Sequence, residues 1–200
     1  MMLKKIARTM AYIGSIITGF YLFASAPGFH KKEKWQHLTG WDYAHRGLHD
    51  NEHGIPENSM AAFQRAVDKG YGIELDVHLT ADNQLVVFHD DTLTRMCGIN
   101  KKISGFLYSD LQQLRLLGTE EGMPLFKDVL ALVDGKVPLI IELKVDGSNQ
   151  NLLCPLVWQL LSGYKGSYCI ESFHPFVLQW FKRHQPQVVR GQLSCNFFKE

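Results

Sequence analysis

The sequence has no CxxC pair and no cysteines interleaved with histidines at zinc-binding spacing, which excludes a structural zinc module. Its four cysteines, Cys97, Cys154, Cys169 and Cys195, are scattered and read as ordinary buried thiols, with any pairing left to compartment and distance. Charge imbalance is also missing. With 21 basic and 20 acidic residues the formal charge is +1, so no overall field draws nucleic acid or an acidic partner, and selectivity has to be local. No low-complexity tract interrupts the chain, and 46% hydrophobic residues over 200 positions suit a globular unit with a real core.

Only one long uncharged run is present. Lys4, Lys5 and Arg8 precede residues 9–26, which include Ile16, Ile17, Phe20, Tyr21, Leu22 and Phe23. A helix rises about 1.5 Å per residue, so roughly 18 to 20 residues match a hydrocarbon layer about 30 Å thick, and the expectation is an N-terminal transmembrane helix. One rival is a cleaved signal peptide ending at Ala24-Ser25-Ala26, opposed by Pro27 directly after it. The other is a buried first helix, opposed by the lack of a polar face. On this reading residues 1–29 are a membrane anchor, 30–40 a polar juxtamembrane linker and 41–200 the functional domain. Lys31, Lys32 and Lys34 nearly balance the first basic cluster. The expected orientation is amino terminus inside and domain outside, in a single-pass cell-membrane protein.

From residue 41 onward, strand and helix patterns alternate. Residues 42–45, 72–79, 85–89, 137–143, 168–172 and 188–193 read as strands; 59–69, 110–117, 125–133, 151–161 and 175–184 read as helices. Apolar, β-branched strands alternating with helices point to a covered parallel sheet, and closing such a sheet gives a TIM (β/α)8 barrel. Residues 80–84 are too short for a crossover helix, so the two strands they join are expected to form a hairpin-like excursion. Six candidate strands stand where a closed barrel needs about eight, so the barrel is expected to be incomplete in this chain.

In Ile73-Glu74-Leu75-Asp76-Val77 the side chains alternate, so Glu74 and Asp76 share one face. Two carboxylates about 4 Å apart repel by roughly 4 kcal/mol at an effective dielectric near 20, which calls for a cation or a raised pKa. Glu142 ends the apolar strand Leu139-Ile140-Ile141 and is the third such acid. Any one of them alone is best read as a strand-end charge paired with a base. Three together favour a metal ion, and all-oxygen ligation favours Mg²⁺ or Ca²⁺. His45 and His89 follow strands at their carboxyl ends, where barrel active sites form, and two histidines flanking a substrate can serve as base and acid. Arg46 and Lys144 are placed to hold phosphate oxygens, although either alone reads as a surface ion pair. His37, His49, His53, His78, His174 and His184 read as structural or surface residues; His78 shares the carboxylates' face.

In combination and order, His45-Arg46-Gly47, Pro56-Glu57-Asn58-Ser59, Glu74-Leu75-Asp76-Val77, Val86-Val87-Phe88-His89-Asp90, Ile141-Glu142-Leu143-Lys144 and Glu171-Ser172-Phe173 resemble the glycerophosphodiester phosphodiesterases. The resemblance implies a TIM barrel and a divalent ion, Mg²⁺ or Ca²⁺, held by Glu74, Asp76 and Glu142. It further implies His45 and His89 as general base and acid, phosphate contacts from Arg46 and Lys144, and Glu57 and Asn58 shaping the site. The implied reaction is metal-assisted hydrolysis of a small glycerophosphodiester to sn-glycerol 3-phosphate and an alcohol, with the substrate's own glycerol hydroxyl as first nucleophile. The alternatives are a lysophospholipase D-like phosphodiesterase and a catalytically idle phosphate-binding membrane domain. Family members continue to a last strand with a Trp-Thr-Val-Asn-like motif that this sequence does not match. The loop over residues 48–55 is longer than usual for the family. Nucleic acid is not an expected partner, and the sequence fixes no oligomeric state.

Overall fold

The computed structural model describes residues 2–25 and 35–195. The chain divides into two compact units, Met1–Lys32 and Glu33–Glu200. In the first unit the uncharged run does fold as a helix, α1 (Met2–Ser25). Among the described residues, however, no helix is long and apolar enough to cross a membrane. The reason is composition: uncharged is not the same as apolar. Lys4, Lys5 and Arg8 occupy the first turns, and Gly14, Ser15, Thr18 and Gly19 dilute the run that follows. Thr9 and Ser15 turn their hydroxyls onto the carbonyls of Lys5 and Ala11, at 3.1 and 2.9 Å. The expected transmembrane helix is therefore overturned. With it go the membrane as a partner, the cell-membrane location and the placement of the domain on its outer side. Residues 26–34, which hold Pro27 and part of the expected linker, lie outside the described residues, as do 196–200.

The second unit alternates strands and helices: β1 (Tyr43–His45), α2 (Met60–Lys69), β2 (Gly72–Leu79), β3 (Leu85–Val87), α3 (Thr94–Cys97), α4 (Tyr108–Leu111), α5 (Phe126–Val133), β4 (Leu139–Leu143), α6 (Gln150–Leu161), β5 (Tyr168–Ser172), α7 (Pro175–His184) and β6 (Val189–Gln192). The sheet has the order β1-β2-β4-β5-β6, and those neighbours are parallel. Such an order arises when each strand is followed by a helix that returns the chain to the same end. The short 80–84 connection gives the hairpin-like excursion instead, β3 running antiparallel to β2 from Val77↔Val87 to Leu79↔Leu85. Among the described residues, β1 and β6 each pair with one strand only and not with one another.

One face of this sheet is a hydrocarbon surface. Ile73, Leu75, Val77, Leu139, Ile141, Leu143 and Ile170 are wholly buried there, and Phe63, Phe126, Val157 and Phe181 of the covering helices pack against them in the same cluster. Each buried side chain of this size contributes about 1.5–3 kcal/mol. Helix α2 is set onto that face by its ends. The Ser59 hydroxyl accepts from the Ala62 N–H at 3.2 Å, and Gly70, at φ 70°, closes the last turn in the left-handed conformation that costs glycine least.

A second, smaller core lies under the excursion, built from Val86, Phe88, Leu93, Met96, Ile103, Leu111 and Leu116 among others. Here the sequence misleads. A helix is expected over 110–117, but α4 ends at Leu111, and a 3-10 turn at Leu116–Gly118 follows in which Leu117 has φ 52°. Leu116 N–H bonds to the Glu121 carbonyl at 2.8 Å, so the chain turns back to bury Leu116 rather than continuing the helix. The cysteines are all free. Cys154 is buried and Cys97 and Cys169 are half-buried, but Cys195 is exposed, contrary to the expectation of four buried thiols.

Candidate active site

On the face of the sheet opposite the hydrocarbon core, β2 carries Glu74, Asp76 and His78, all buried. Strand parity sends them there. Register then extends the pattern: Asp76 lies opposite Glu142 of β4, Glu142 opposite Glu171 of β5, and Glu171 opposite Gly191 of β6. Three carboxylates thus form one row across the sheet. Glu74 sits one step back on β2, opposite His45. Glu74, Asp76 and Glu142 each offer an oxygen within 4.8 Å of the others.

That proximity is electrostatically costly. Burial, then the charge of Asp76, pushes the Glu74 carboxyl up to about 8. Glu142 is also raised, by burial first, against the lowering effect of Lys144. Burial and the charges of Glu142 and Asp76 push Glu171 up to about 7. The compensating cations are near. Lys144 Nζ lies 2.8 Å from Glu142 Oε1 and 3.0 Å from Asp76 Oδ1, and Arg46 Nε lies 3.8 Å from Asp76 Oδ2. Asp76 Oδ1 is nevertheless without a hydrogen bond, because Lys144 approaches it closely but out of line. Arg46 Nε and Asn58 Oδ1 are likewise buried and unpartnered beside it. Unsatisfied buried polar atoms cost about 1–3 kcal/mol each, and their convergence here fits a centre organised for a ligand. A group of oxygen donors with excess negative charge suits a hard divalent cation.

The loop after β1 is bent sharply to reach this centre. Arg46 has φ 57°, a left-handed conformation rare for a side chain of its size. Several contacts hold it: its N–H donates to Glu74 Oε2 at 3.0 Å, and its carbonyl accepts from Asn58 N–H at 2.9 Å. Gly47, at φ 80°, lies so close to α2 that a Cβ there would meet Ala62 Cβ at 2.9 Å. Asn58, itself at φ 54°, donates its amide to Asp76 Oδ2 at 2.9 Å and so orients that carboxylate.

His45 stands at the rim with 68% of its side chain exposed, its Nε2 3.8 Å from Glu74 Oε2. Partial burial and the neighbouring Arg46 charge lower its pKa, which keeps the ring neutral. His89 is half-buried, and its Nδ1 lies 2.7 Å from Asp90 Oδ1. An ionised Asp90 accepts there, which leaves Nε2 of His89 free to exchange a proton. Glu57 does not present a free carboxylate to a ligand. Both its oxygens are taken, Oε1 by Arg46 and Arg95 and Oε2 by Arg95, at 2.7–2.9 Å. His78 Nε2 lies 3.3 Å from the His89 carbonyl and ties β2 to that turn, in keeping with a structural role. A cleft of about 370 Å³ opens beside the row, lined by Asp91, Glu142, Lys144, Ser172, Phe173 and His174 among others.

The residues placed at the site from the sequence thus gather around one centre: His45 and Glu142 at the carboxyl ends of β1 and β4, Glu74 and Asp76 within β2, and Arg46, Glu57, Asn58, His89 and Lys144 on the segments that follow β1, β3 and β4. Two further residues belong with them. Glu171 joins the carboxylate row, and the strand-end reasoning that singled out Glu142 would have found it near the end of β5. Arg95 joins Glu57 to Asp90, a contact between residues 38 positions apart that no local pattern announces.

Residues 45–196 match the family model described as the glycerophosphoryl diester phosphodiesterase family. A rat protein named lysophospholipase D GDPD1 is 33% identical over 165 residues, covering 76% of this chain and 50% of the relative. A glycerophosphodiester phosphodiesterase of Caldanaerobacter subterraneus subsp. tengcongensis is 38% identical over 165 residues, 75% of this chain and 65% of that protein. Among solved structures, a phosphodiesterase from Oleispira antarctica in complex with its product sn-glycerol 3-phosphate superposes with a TM-score of 0.72 at 25% identity, covering 80% of this chain and 67% of the other. A glycerophosphodiester phosphodiesterase from Parabacteroides distasonis gives 0.65 at 32% identity, with 77% and 66% covered. The parallel α/β layout is that of these TIM-barrel neighbours. The chain spans about half the length of the mammalian curated relatives it matches.

Proposed function

The chain belongs to the glycerophosphoryl diester phosphodiesterase family, and from that premise we propose that it hydrolyses glycerophosphodiesters to sn-glycerol 3-phosphate and an alcohol. The observation that carries the reading is the buried Glu74, Asp76 and Glu142 group beside Arg46 and Lys144: excess negative charge for an ion, and positive charge for a phosphate.

Glu74, Asp76 and Glu142 would hold the divalent cation, Mg²⁺ or Ca²⁺, since three carboxylates and no sulfur or imidazole make a hard donor set. When bound, the ion neutralises phosphoryl oxygens and makes the phosphorus more electrophilic. The remaining roles fall to this chain's own groups. His45, held neutral, takes the proton of the attacking hydroxyl. His89 gives a proton to the oxygen of the departing alcohol, with Asp90 steadying its ring. Arg46 and Lys144 hold the phosphate oxygens and meet the charge that builds on them. Glu57 acts on the substrate through Arg46, which it holds at 2.8 Å. Residues 41–200 make up the catalytic domain in this reading, and the parallel strands β1, β2, β4, β5 and β6 are five of the eight of a (β/α)8 barrel, with antiparallel β3 belonging to the excursion. The superposition on the Oleispira enzyme supports that assignment.

A second reading, cleavage of lysophospholipids in the manner of a lysophospholipase D, is favoured by the name of the rat relative and by the half-exposed Phe173 ring at the cleft. Release of sn-glycerol 3-phosphate from glycerophosphocholine, and of lysophosphatidic acid from lysophosphatidylcholine, each with Mg²⁺ or Ca²⁺, separates the two. Preference for the first substrate, abolished in His45→Ala and Glu74→Ala, supports the main reading. Equal turnover by wild type and both variants overturns it, and no turnover of either substrate leaves an idle phosphate-binding domain.

A further inference from the structure

Arg95 lies outside the carboxylate row and on no strand. It sits on α3, a single turn held in place by the second hydrophobic core through Leu93 and Met96 and closed by Gly98 at φ 72°. Its guanidinium nevertheless makes the densest set of charged contacts among the described residues. Nη1 donates to Glu57 Oε2 at 2.9 Å, Nη2 to Glu57 Oε1 at 2.7 Å and to Asp90 Oδ1 at 2.9 Å, and Nε to Asp90 Oδ2 at 2.8 Å. Each carboxylate is thus gripped by two donors, a geometry open to a planar fork and closed to a lysine. The chain of contacts continues at both ends. Glu57 Oε1 also accepts from Arg46 at 2.8 Å, and Asp90 Oδ1 receives His89 Nδ1 at 2.7 Å.

We propose that Arg95 is a positioning residue for catalysis: it locks Asp90, and through Asp90 the His89 ring, at a fixed place relative to the phosphate-binding loop that carries Arg46. The proposal rests on His89 acting as the proton donor to the leaving alcohol. A surface ion pair is the ordinary explanation for an arginine whose side chain is 44% exposed, and such pairs contribute little. Two features set this one apart. Glu57 is 8% exposed and Asp90 22%, so the partners are shielded, and the contacts form one unbroken path between two groups that touch substrate. The excursion over residues 88–125 gains a purpose on this view, since its small core presents α3 to the rim of the site.

When the phosphorus–oxygen ester bond breaks, its electron pair goes to the departing oxygen. A poor leaving group such as choline needs a proton from His89 at that moment, whereas p-nitrophenol departs as a stable anion and does not. The test is therefore kcat and KM for glycerophosphocholine and for the p-nitrophenyl diester of glycerol phosphate, in wild type, His89→Ala, Arg95→Ala and Arg95→Lys. The expected result is a fall of about 10- to 100-fold in kcat for Arg95→Ala on the choline diester, a change several-fold smaller on the nitrophenyl diester, and KM unmoved on both. Arg95→Lys keeps the charge and the thermal stability but recovers little of the choline-specific loss. Equal losses by Arg95→Ala on both substrates, or full recovery by Arg95→Lys, overturn the positioning role and leave a structural contact. If His89→Ala itself shows no dependence on the leaving group, the proton-donor reading fails and the Arg95 proposal falls with it.

Discussion

The two faces of β2 are equally buried and chemically opposite. Ile73, Leu75 and Val77 sit in the hydrocarbon core at 0% exposure, and Glu74, Asp76 and His78, alternating with them, are at most 9% exposed. The first face stabilises the domain through area removed from water. The second works against stability, because it assembles carboxylates that repel one another and leaves polar atoms unpartnered. A six-residue strand segment can therefore hold the fold and the chemistry at once, and substitutions one position apart should have opposite signatures.

The largest effect is expected on the acidic face. Glu74→Gln should lower kcat/KM for glycerophosphocholine about 10³-fold. In metal-free buffer near about pH 8, differential scanning calorimetry should find the same variant no less stable than wild type, because the substitution removes a charge that burial disfavours. On the neighbouring position, Leu75→Ala should cost about 2–5 kcal/mol in denaturant unfolding while the turnover of the folded fraction stays unchanged. Loss of stability without loss of activity at Leu75, and the reverse at Glu74, sharpens the contrast; the same signature at both breaks it.

A pH dependence follows from the same contrast. Glu74 at about 8 and Glu171 at about 7 are raised above their ordinary value, so between roughly pH 4.5 and 8 the folded protein holds protons that the unfolded chain has released. These two carboxyls therefore make metal-free stability fall as pH rises through that window. Glu57, Asp90 and Asp146 are shifted the other way. Burial raises the first two, but their arginine contacts outweigh it, and Lys102 and Ser104 lower Asp146. Their contribution is present above the unfolded carboxylate range and is lost as pH falls below about 4. His45 and His78, both lowered, cost stability below about pH 6.5 and oppose the carboxylates there, so the melting temperature without metal should fall from about pH 6.5 to 8, and millimolar Mg²⁺ or Ca²⁺ should raise it most at about pH 8. A profile that rises from about pH 6.5 to 8 without metal contradicts this reading. The smallest effect is expected at Ser59→Ala, which removes the α2 cap and should cost about 1 kcal/mol in chemical denaturation.

Legibility in the sequence followed the periodicity of each element. Strand parity pointed to Glu74 and Asp76, and the polar end of an apolar strand pointed to Glu142, because both signals are local. Glu171 carried the same signal on β5, where alternation with the core residue Ile170 puts it on the face of the row. Arg95 carried none, since its partner Glu57 comes from a loop 38 residues earlier and the excursion that holds it and Asp90 has little regular structure. The helix expected over 110–117 failed because burial of Leu116 needed a turn with Leu117 at positive φ, a tertiary demand that overrides helix propensity. The membrane span failed for a simpler reason: glycine, serine and threonine carry no charge, yet they do not supply the apolar surface that lipid requires.

The central claim is that the group formed by Glu74, Asp76 and Glu142 is a divalent-cation site, and calorimetric titration of the chelator-treated protein with Mg²⁺ and with Ca²⁺ tests it most directly. Wild type should bind one ion per chain at about pH 7.5 with release of protons, and Glu142→Gln, of nearly the same shape but one charge fewer, should bind at least about tenfold more weakly. Equal affinity in wild type and Glu142→Gln, or no saturable binding of either ion to the wild type, would contradict the account.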